Sequence, residues 1–313
     1  MRQLTTAARS SSAERRGIGG ESVATATRCL RRPSNVRRLV RNRQASLGGL
    51  LILAMLLAAG LAPMLAPYDP LAQQLSRRLE PPLPFGGTPV YLLGSDANGR
   101  DILSRLLFGA RVSLSVGFLS MLLAGGVGVT LGLVAGYFGG RLDDLIMRLA
   151  DVQLAFPVIL LAITIVSIVG RNVATIVTVL GLTGWVVYAR TVRSSVLSLR
   201  ERDFVNAARC LGAGNGRILF VHVLPNTVAP ILVVATVQIA TMIVLESGLS
   251  FFGLGIQPPT PTWGGMLAEG RDYLSNAWWV STVPGLAIML TVLGINLLGD
   301  GLRDVFDPQL KDY

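Results

Sequence analysis

Long apolar segments alternate with shorter polar ones along most of the chain. Six apolar runs approach or exceed the length of helix needed to cross a hydrocarbon core about 30 Å thick, at about 1.5 Å per residue. They occupy residues 47–66, 112–135, 149–169, 173–189, 228–249 and 281–298. This pattern predicts an all-α polytopic membrane protein with six transmembrane helices.

The composition agrees with this prediction and places most of the positive charge before the first span. Hydrophobic residues make up 51% of the chain and charged residues 15%, with a mean hydropathy of +0.56. Residues 1–46 carry eleven arginines against Glu14 and Glu21, which accounts for most of the net charge of +10. We interpret them as a disordered cytoplasmic tail that contacts anionic lipid, with no nucleic-acid partner. A transit peptide and a start assigned too far upstream are the alternatives.

Glycines recur at spacings of three and four residues along the second apolar run. Gly125, Gly128, Gly132 and Gly136 share one face of the predicted helix. Because a glycine has no side chain, this face allows another helix to approach closely. The spacing therefore predicts a helix-packing surface.

A polar, arginine-bearing segment over residues 201–226 separates the fourth and fifth apolar runs. Asp203 is predicted to cap a short helix, because its carboxylate can accept hydrogen bonds from the amides two and three residues on. Gly212, the first of three closely spaced glycines, is predicted to end that helix, since glycine readily adopts a positive φ. Pro225 lacks an amide hydrogen and is predicted to stop a second helical run before the fifth span.

This segment resembles the EAA loop of ABC importer permeases. The matching residues are Ala207, Ala208, Gly212, Leu224 and Pro225. Asn206 and His222 depart from the family pattern, which has glutamate at the first position and often isoleucine at the second. Since a glutamate in place of Asn206 would complete a capping box with Asp203, we expect a weakened cap at this helix.

The resemblance implies that the short helix is a coupling helix, held in a cleft of a cytoplasmic ATPase subunit. The expected contact residues are Phe204, Ala207, Ala208 and Leu211. An ordinary amphipathic loop helix is the alternative interpretation. His222 is expected to form structural hydrogen bonds or to contact the ATPase, with pH sensing as the alternative.

Sequences outside this loop narrow the resemblance to the C-type subunits of dipeptide, oligopeptide and nickel permeases. They are LLGSDANGRDILSRLLFGAR before the second span, GLGIQPPTPTWGGMLAEGR after the fifth, and NLLGDGLRDVFDP near the end. The resemblance implies a type I ABC importer transmembrane domain over residues 112–300. It also implies a homologous B-type permease, two ATPase subunits and an extracytoplasmic solute-binding protein as partners.

The remaining boundaries follow from the same comparison and from the pattern of charge. Residues 67–111 form an extracytoplasmic segment, in which residues 101–111 are expected to be an interfacial amphipathic helix, with a simple loop as the alternative. Residues 301–313 form the C-terminus. With both termini inside, 21 of the 28 basic residues lie on the cytoplasmic side of a six-span arrangement. This bias predicts a cytoplasmic EAA loop, and the resemblance implies that the membrane is the bacterial inner membrane.

The chain lacks the residues of an ATPase or a membrane-embedded hydrolase. Its only lysine is Lys311, so the sequence contains no Walker A phosphate loop, and its only histidine is His222. We expect no catalytic residue, metal site or cofactor on this chain, with ATP and Mg²⁺ bound by partner subunits. A proton-coupled secondary transporter, the remote alternative, would carry several acids and histidines at mid-membrane, which the sequence lacks.

Glu246, near the outer end of the fifth span, is the candidate residue of the translocation path. An ionisable group at membrane depth is costly, which favours a functional role either on the path or in a pair with the partner permease. A carboxylate at the level of the lipid headgroups is the alternative. The expected solute is a di- or oligopeptide, with a nickel chelate or a glutathione-like solute as alternatives, because solute choice resides largely in the binding protein.

Overall fold

The structure is a computed structural model that describes residues 42–306, and most of this part of the chain is helical. The α-helices are α1 (Arg43–Gly60), α2 (Ala62–Leu65), α3 (Ile102–Phe138), α4 (Gly140–Leu154), α5 (Val158–Val169), α6 (Val173–Leu199), α7 (Asp203–Cys210), α8 (Asn215–Arg217), α9 (Leu224–Phe251), α10 (Trp263–Gly270) and α11 (Trp279–Phe306). A π-helical turn, Ile218–Val223, joins α8 to α9. The predictions for residues 1–41 and 307–313 lie outside the described residues.

Five helical stretches within residues 42–306 are long and apolar enough to cross a membrane. They are α1, α3, α6, α11 and the continuous stretch Asn215–Phe251. The pair α4 and α5 makes a sixth when it is counted as one bent span. The prediction of an all-α membrane protein with six spans is therefore confirmed when the bent pair counts as one, although several boundaries differ.

The third predicted span, residues 149–169, is not one straight helix. It corresponds to the end of α4 and the whole of α5, whose axes differ by 86°. The physical reason is Pro157, which lacks an amide hydrogen and precedes the first residue of α5. Asp143 on α4 pairs with Arg193 on α6 at 2.5 Å, which holds the polar helix against the bundle.

The interfacial helix expected over residues 101–111 is not a separate element. It forms the first turns of α3, a helix of 37 residues that continues into the second span. Asp101 caps this helix by accepting a hydrogen bond from the Ser104 amide at 2.8 Å. Gly109 does not break it, since this glycine lies against Trp263 of α10.

The glycine face of α3 packs against α6, as the spacing predicted. A Cβ atom added to Gly132 would lie 2.6 Å from the carbonyl oxygen of Ala189, and one added to Gly136 would lie 2.7 Å from Cβ of Val196. Both distances are shorter than a normal van der Waals contact. The two helices can approach this closely only because the side chains are absent.

A buried network of ion pairs fastens the start of α3 to α10. Arg100 binds Asp96 and Glu269, each at 2.7 Å, and Arg105 binds the same two carboxylates, with 2.6 Å to Glu269. The side chains of Arg100, Arg105 and Asp96 are each less than a tenth exposed. The two positive charges are therefore matched by two negative ones, as burial of charge requires.

Candidate coupling surface

The short helix α7 forms where the sequence predicted it, but its capping differs. Asp203 is the first helical residue and not the cap, a position that Arg202 occupies without a side-chain hydrogen bond. The prediction that Asp203 caps this helix is therefore wrong, and no side chain caps it. Asn206 instead donates to the carbonyl of Glu201 at 3.4 Å. The Asp203 carboxylate still lies in the first turn, where it favourably meets the positive end of the helix dipole.

The predicted stop at Gly212 is confirmed. Gly212 has a φ of +79°, and its amide donates to the carbonyl of Arg209 at 2.9 Å. The amide of Ala213 donates to the carbonyl of Ala208 at 3.0 Å. These two bonds form a Schellman motif, which satisfies carbonyls that the end of a helix leaves unpaired.

The two faces of α7 have different environments. Phe204 and Leu211 are 42% and 89% exposed, and Ala207 is also exposed on that side of the helix. Val205 and Ala208 are buried against the spans. Three of the four expected contact residues are therefore accessible, whereas Ala208 is not. The reason is the helical period, since Ala208 lies one turn beyond Val205 and faces the same way.

Ala208 belongs to a hydrophobic cluster within its own chain. The cluster contains Leu133, Tyr137, Val192, Val196, Val205, Ala208, Ile218, Leu219 and Val223. It joins α7 to α3, to α6 and to the π-helical turn. The small side chain of Ala208 thus permits close packing of α7 on the transmembrane helices, and this is the role that the structure shows for it.

Pro225 does not stop the helical run, contrary to the prediction. The stretch from α8 to α9 is continuous, and Pro225 lies in the first turn of α9, after the π-helical turn. A proline is tolerated at the start of a helical segment, and here the change from π-helical to α-helical structure falls just before Pro225. Leu224 packs against the cluster around Ala208, and the carbonyl of His222 accepts a hydrogen bond from Asn226 at 2.6 Å.

Three polar contacts that the sequence analysis missed attach this loop, or the end of α6 just before it, to the end of α3. The hydroxyl of Tyr137 lies 3.0 Å from Oδ1 of Asn215. Arg209 lies over the Tyr137 ring at 5.6 Å. Arg200 donates to the carbonyl of Gly136 at 3.1 Å. The only signal in the sequence was the position of Asn215 among glycines, which does not reveal its partner.

Charge surrounds the exposed apolar face of α7. Glu201, Arg202, Asp203, Arg209 and Arg217 are all exposed, so the surface carries three positive charges against two negative ones. Apolar side chains at the centre and charged ones at the rim are the arrangement of a protein contact surface. We call the exposed side chains of Phe204, Ala207 and Leu211, with this charged rim, the coupling surface.

Glu246 does not lie on the surface of the chain. Its side chain is fully buried within the bundle. One carboxylate oxygen accepts a hydrogen bond from Ser250 at 2.8 Å, and the other has no partner among the described residues. The packing of this chain alone therefore does not present Glu246 to a path, to a partner permease or to lipid headgroups. It lies apart from the coupling surface.

Two family profiles match the chain. The family described as "Binding-protein-dependent transport system inner membrane component" matches residues 128–312. The family described as "N-terminal TM domain of oligopeptide transport permease C" matches residues 35–82. The first match covers more than half of the chain and includes the coupling surface.

Relatives of known name cover most of the chain. The di/tripeptide transport system permease protein of Pseudomonas aeruginosa is 47% identical over 87% of this chain and 90% of its own length. The dipeptide transport system permease protein of Escherichia coli is 46% identical over 87% of this chain and 91% of its own length. The glutathione transport system permease protein of Pectobacterium atrosepticum is 44% identical over 88% of this chain and 90% of its own length.

A solved structure supports the fold. A chain of the MetNI methionine ABC transporter, in an inward-facing conformation, superposes with a TM-score of 0.53. The match covers 65% of this chain and 97% of that one, at 19% sequence identity. The first profile and the relatives show that this chain belongs to the binding-protein-dependent transport system inner membrane components, the permeases of ABC importers.

Proposed function

We propose that this chain is the C-type permease subunit of an importer that carries di- and oligopeptides across the bacterial inner membrane. The support comes from relatives at 46–47% identity whose names specify dipeptides or di- and tripeptides. Glutathione is the second candidate solute, because a relative at 44% identity carries that name. Glutathione is itself a small peptide, so the two candidates share the same chemistry.

The observation that carries the proposal is the coupling surface. The apolar side chain of Leu211 is 89% exposed, so the residues between 42 and 306 leave it almost uncovered. The helix that carries it is nevertheless firmly held by the buried Val205 and Ala208. A rigid helix with an exposed apolar face suits docking to another protein, since little ordering is needed on binding.

The proposed partners are a homologous B-type permease, two ATPase subunits that bind ATP and Mg²⁺, and an extracytoplasmic solute-binding protein. Closure of the ATPase dimer on ATP moves α7. The Tyr137–Asn215 contact and the cluster around Ala208 transmit this movement to α3 and α6. The paired permeases then change from an inward-facing to an outward-facing state, and the solute enters from its binding protein. Both termini and the coupling surface lie in the cytoplasm.

An uptake experiment tests the solute. Cells that lack the chain are compared with cells that carry it, using labelled dipeptides, tripeptides, glutathione and Ni²⁺ in separate assays. We expect uptake of the peptides to depend on the chain. Equal peptide uptake in both strains would refute the proposed solute class, and dependence of Ni²⁺ uptake alone would assign a nickel importer.

A cross-linking experiment tests the partner. Cys210 is an exposed free cysteine on α7, and it should join to a cysteine placed in the cleft of the ATPase subunit. The yield should change when ATP is bound, because the cleft moves. A chain in which Cys210 is replaced by serine is the matched control. A yield no greater than that of this control would count against ATPase docking at α7.

A further inference from the structure

A pocket of about 720 Å³ lies between the end of the first apolar span and the start of the second. Its walls include Pro63 and Ala66 after α1, and Phe108 and Val112 of α3. The chain crosses the bilayer in α1 and returns in α3, so the end of one and the apolar start of the other lie at the same surface. The pocket is therefore at the boundary between lipid tails and water.

Two opposite charges line this pocket without pairing with each other. The Asp69 carboxylate accepts a hydrogen bond from the Leu71 amide through Oδ1 at 2.8 Å. Its Oδ2 has no partner in the described part of the chain. Arg111 is exposed, and its guanidinium forms no hydrogen bond or ion pair with any residue between 42 and 306. An acid and a base held apart in one pocket suit a ligand that carries both charges.

The backbone around these charges is already ordered. The Tyr68 amide donates to Oγ of Ser104 at 3.1 Å, which attaches the segment to α3. The Ala72 amide donates to the carbonyl of Asp69 at 3.1 Å and closes a turn. Prolines form much of the wall, at positions 63, 70, 259 and 261. A ligand can therefore bind without paying a large entropic penalty for ordering the protein.

The position of the pocket, at the ends of two apolar spans, favours a lipid over a soluble zwitterion as the ligand. Arg111 directly precedes the apolar run of α3, where basic side chains meet phosphate groups. Met64 and Leu65, beside the pocket, are 83% and 53% exposed, as expected of side chains in contact with lipid tails. A guanidinium also matches the geometry of a phosphate, to which it can donate two parallel hydrogen bonds.

We propose that this pocket binds a phospholipid with a phosphate and a primary ammonium in its headgroup. The phosphate binds Arg111, and the ammonium donates to the free oxygen of Asp69. An acyl chain lies against Phe108 and Val112. The site thus anchors the first span to the second through a lipid. This inference does not depend on the solute that the chain transports.

Lipid retention in the purified protein tests the proposal. The full chain, with the subunits that copurify, is placed in nanodiscs containing equal amounts of phosphatidylethanolamine, phosphatidylcholine and phosphatidylglycerol. It is then extracted into detergent, and bound phospholipid is identified by native mass spectrometry. We expect the wild-type protein to retain phosphatidylethanolamine in preference to the other two. Arg111→Gln should lower that retention about tenfold, since it removes a charge-assisted contact.

Two further variants make the test specific. Asp69→Asn should abolish the preference for phosphatidylethanolamine over phosphatidylglycerol, because only the former carries an ammonium. Arg78→Gln is the matched control, since Arg78 is an exposed arginine of the same segment that does not line the pocket. It should retain lipid as the wild type does.

Three results would overturn the proposal. The first is equal retention of the three phospholipids by the wild-type protein, a measurement that needs no variant to fold. The second is unchanged retention in Arg111→Gln. The third is displacement of the bound phospholipid by an excess of a free dipeptide, which would assign the pocket to a soluble zwitterion instead.

Discussion

The hydroxyl of Tyr137 lies 3.0 Å from Oδ1 of Asn215 and joins the last turn of α3 to the loop that carries the coupling surface. The two residues are 78 positions apart in the sequence. The same tyrosine ring lies under Arg209 of α7. The Tyr137 side chain therefore connects α7 and its loop directly to α3, a helix of 37 residues.

Removal of this hydrogen bond should weaken coupling while the fold persists. We expect Tyr137→Phe to cost about 0.5–1.5 kcal/mol of stability, because the ring stays in place and only one hydrogen bond is lost. Uptake per ATP hydrolysed should fall, as measured in proteoliposomes. In a double-mutant cycle, Asn215→Ala should add little to Tyr137→Phe. Fully additive losses would show that the two residues act separately.

The left-handed backbone at Gly212 predicts a position-specific effect of valine. Gly212→Val should cost roughly 1–2 kcal/mol, since a side chain strains a φ of +79° even where space is open. Gly214→Val is the control, because Gly214 has equally open space but an ordinary φ of −67°. Uptake at equal abundance should fall in the first variant only. Equal uptake in both variants would contradict the assigned turn.

The two alanines of α7 should respond differently to arginine. Ala207 is exposed, so Ala207→Arg should leave the chain folded and weaken docking of the ATPase roughly tenfold or more. Ala208 is only 8% exposed, so Ala208→Arg should destabilise the chain itself by at least about 2 kcal/mol. Thermal unfolding in detergent and copurification of the ATPase separate the two effects. An Ala208→Arg chain that unfolds at the same temperature as the wild type would contradict the observed packing.

The buried ion-pair network should be sensitive to the loss of one carboxylate. We expect Asp96→Asn to destabilise the chain by about 3–5 kcal/mol, because two buried guanidinium groups then share Glu269 alone. Asp272→Asn is the control, since its pair with Arg271 is largely exposed and should contribute less than about 1 kcal/mol. The melting temperatures of the two variants provide the comparison, and similar values would refute the role of the network.

The orientation of the chain predicts where Cys210 is accessible. A membrane-impermeant maleimide should not label Cys210 in intact cells and should label it in inside-out vesicles, because the thiol is exposed and the proposed topology places its loop in the cytoplasm. A variant in which Cys29 is replaced by serine removes the other cysteine as a source of signal. Labelling from outside intact cells would reverse the topology and the proposed coupling with it.

Much of this protein could be predicted from local sequence alone. A long apolar run must form a helix in a bilayer, so the order of the spans follows from hydropathy. The end of α7 at Gly212 and the packing face of α3 around Gly132 also follow locally, because both depend on the absence of a Cβ atom. These properties involve neighbours within a few residues, and the sequence displays them directly.

Only the tertiary structure decided which faces meet and where helices bend. The burial of Ala208, the enclosure of Glu246 and the pairing of Arg105 with Glu269 each depend on residues far away in the chain. The sequence shows four acids and four arginines over residues 67–107, but it does not show which of them pair. The 86° bend at Pro157 and the continuous helix at Pro225 likewise could not be predicted from the sequence. A proline permits a bend or a first turn equally well, and the packing around it selects between them.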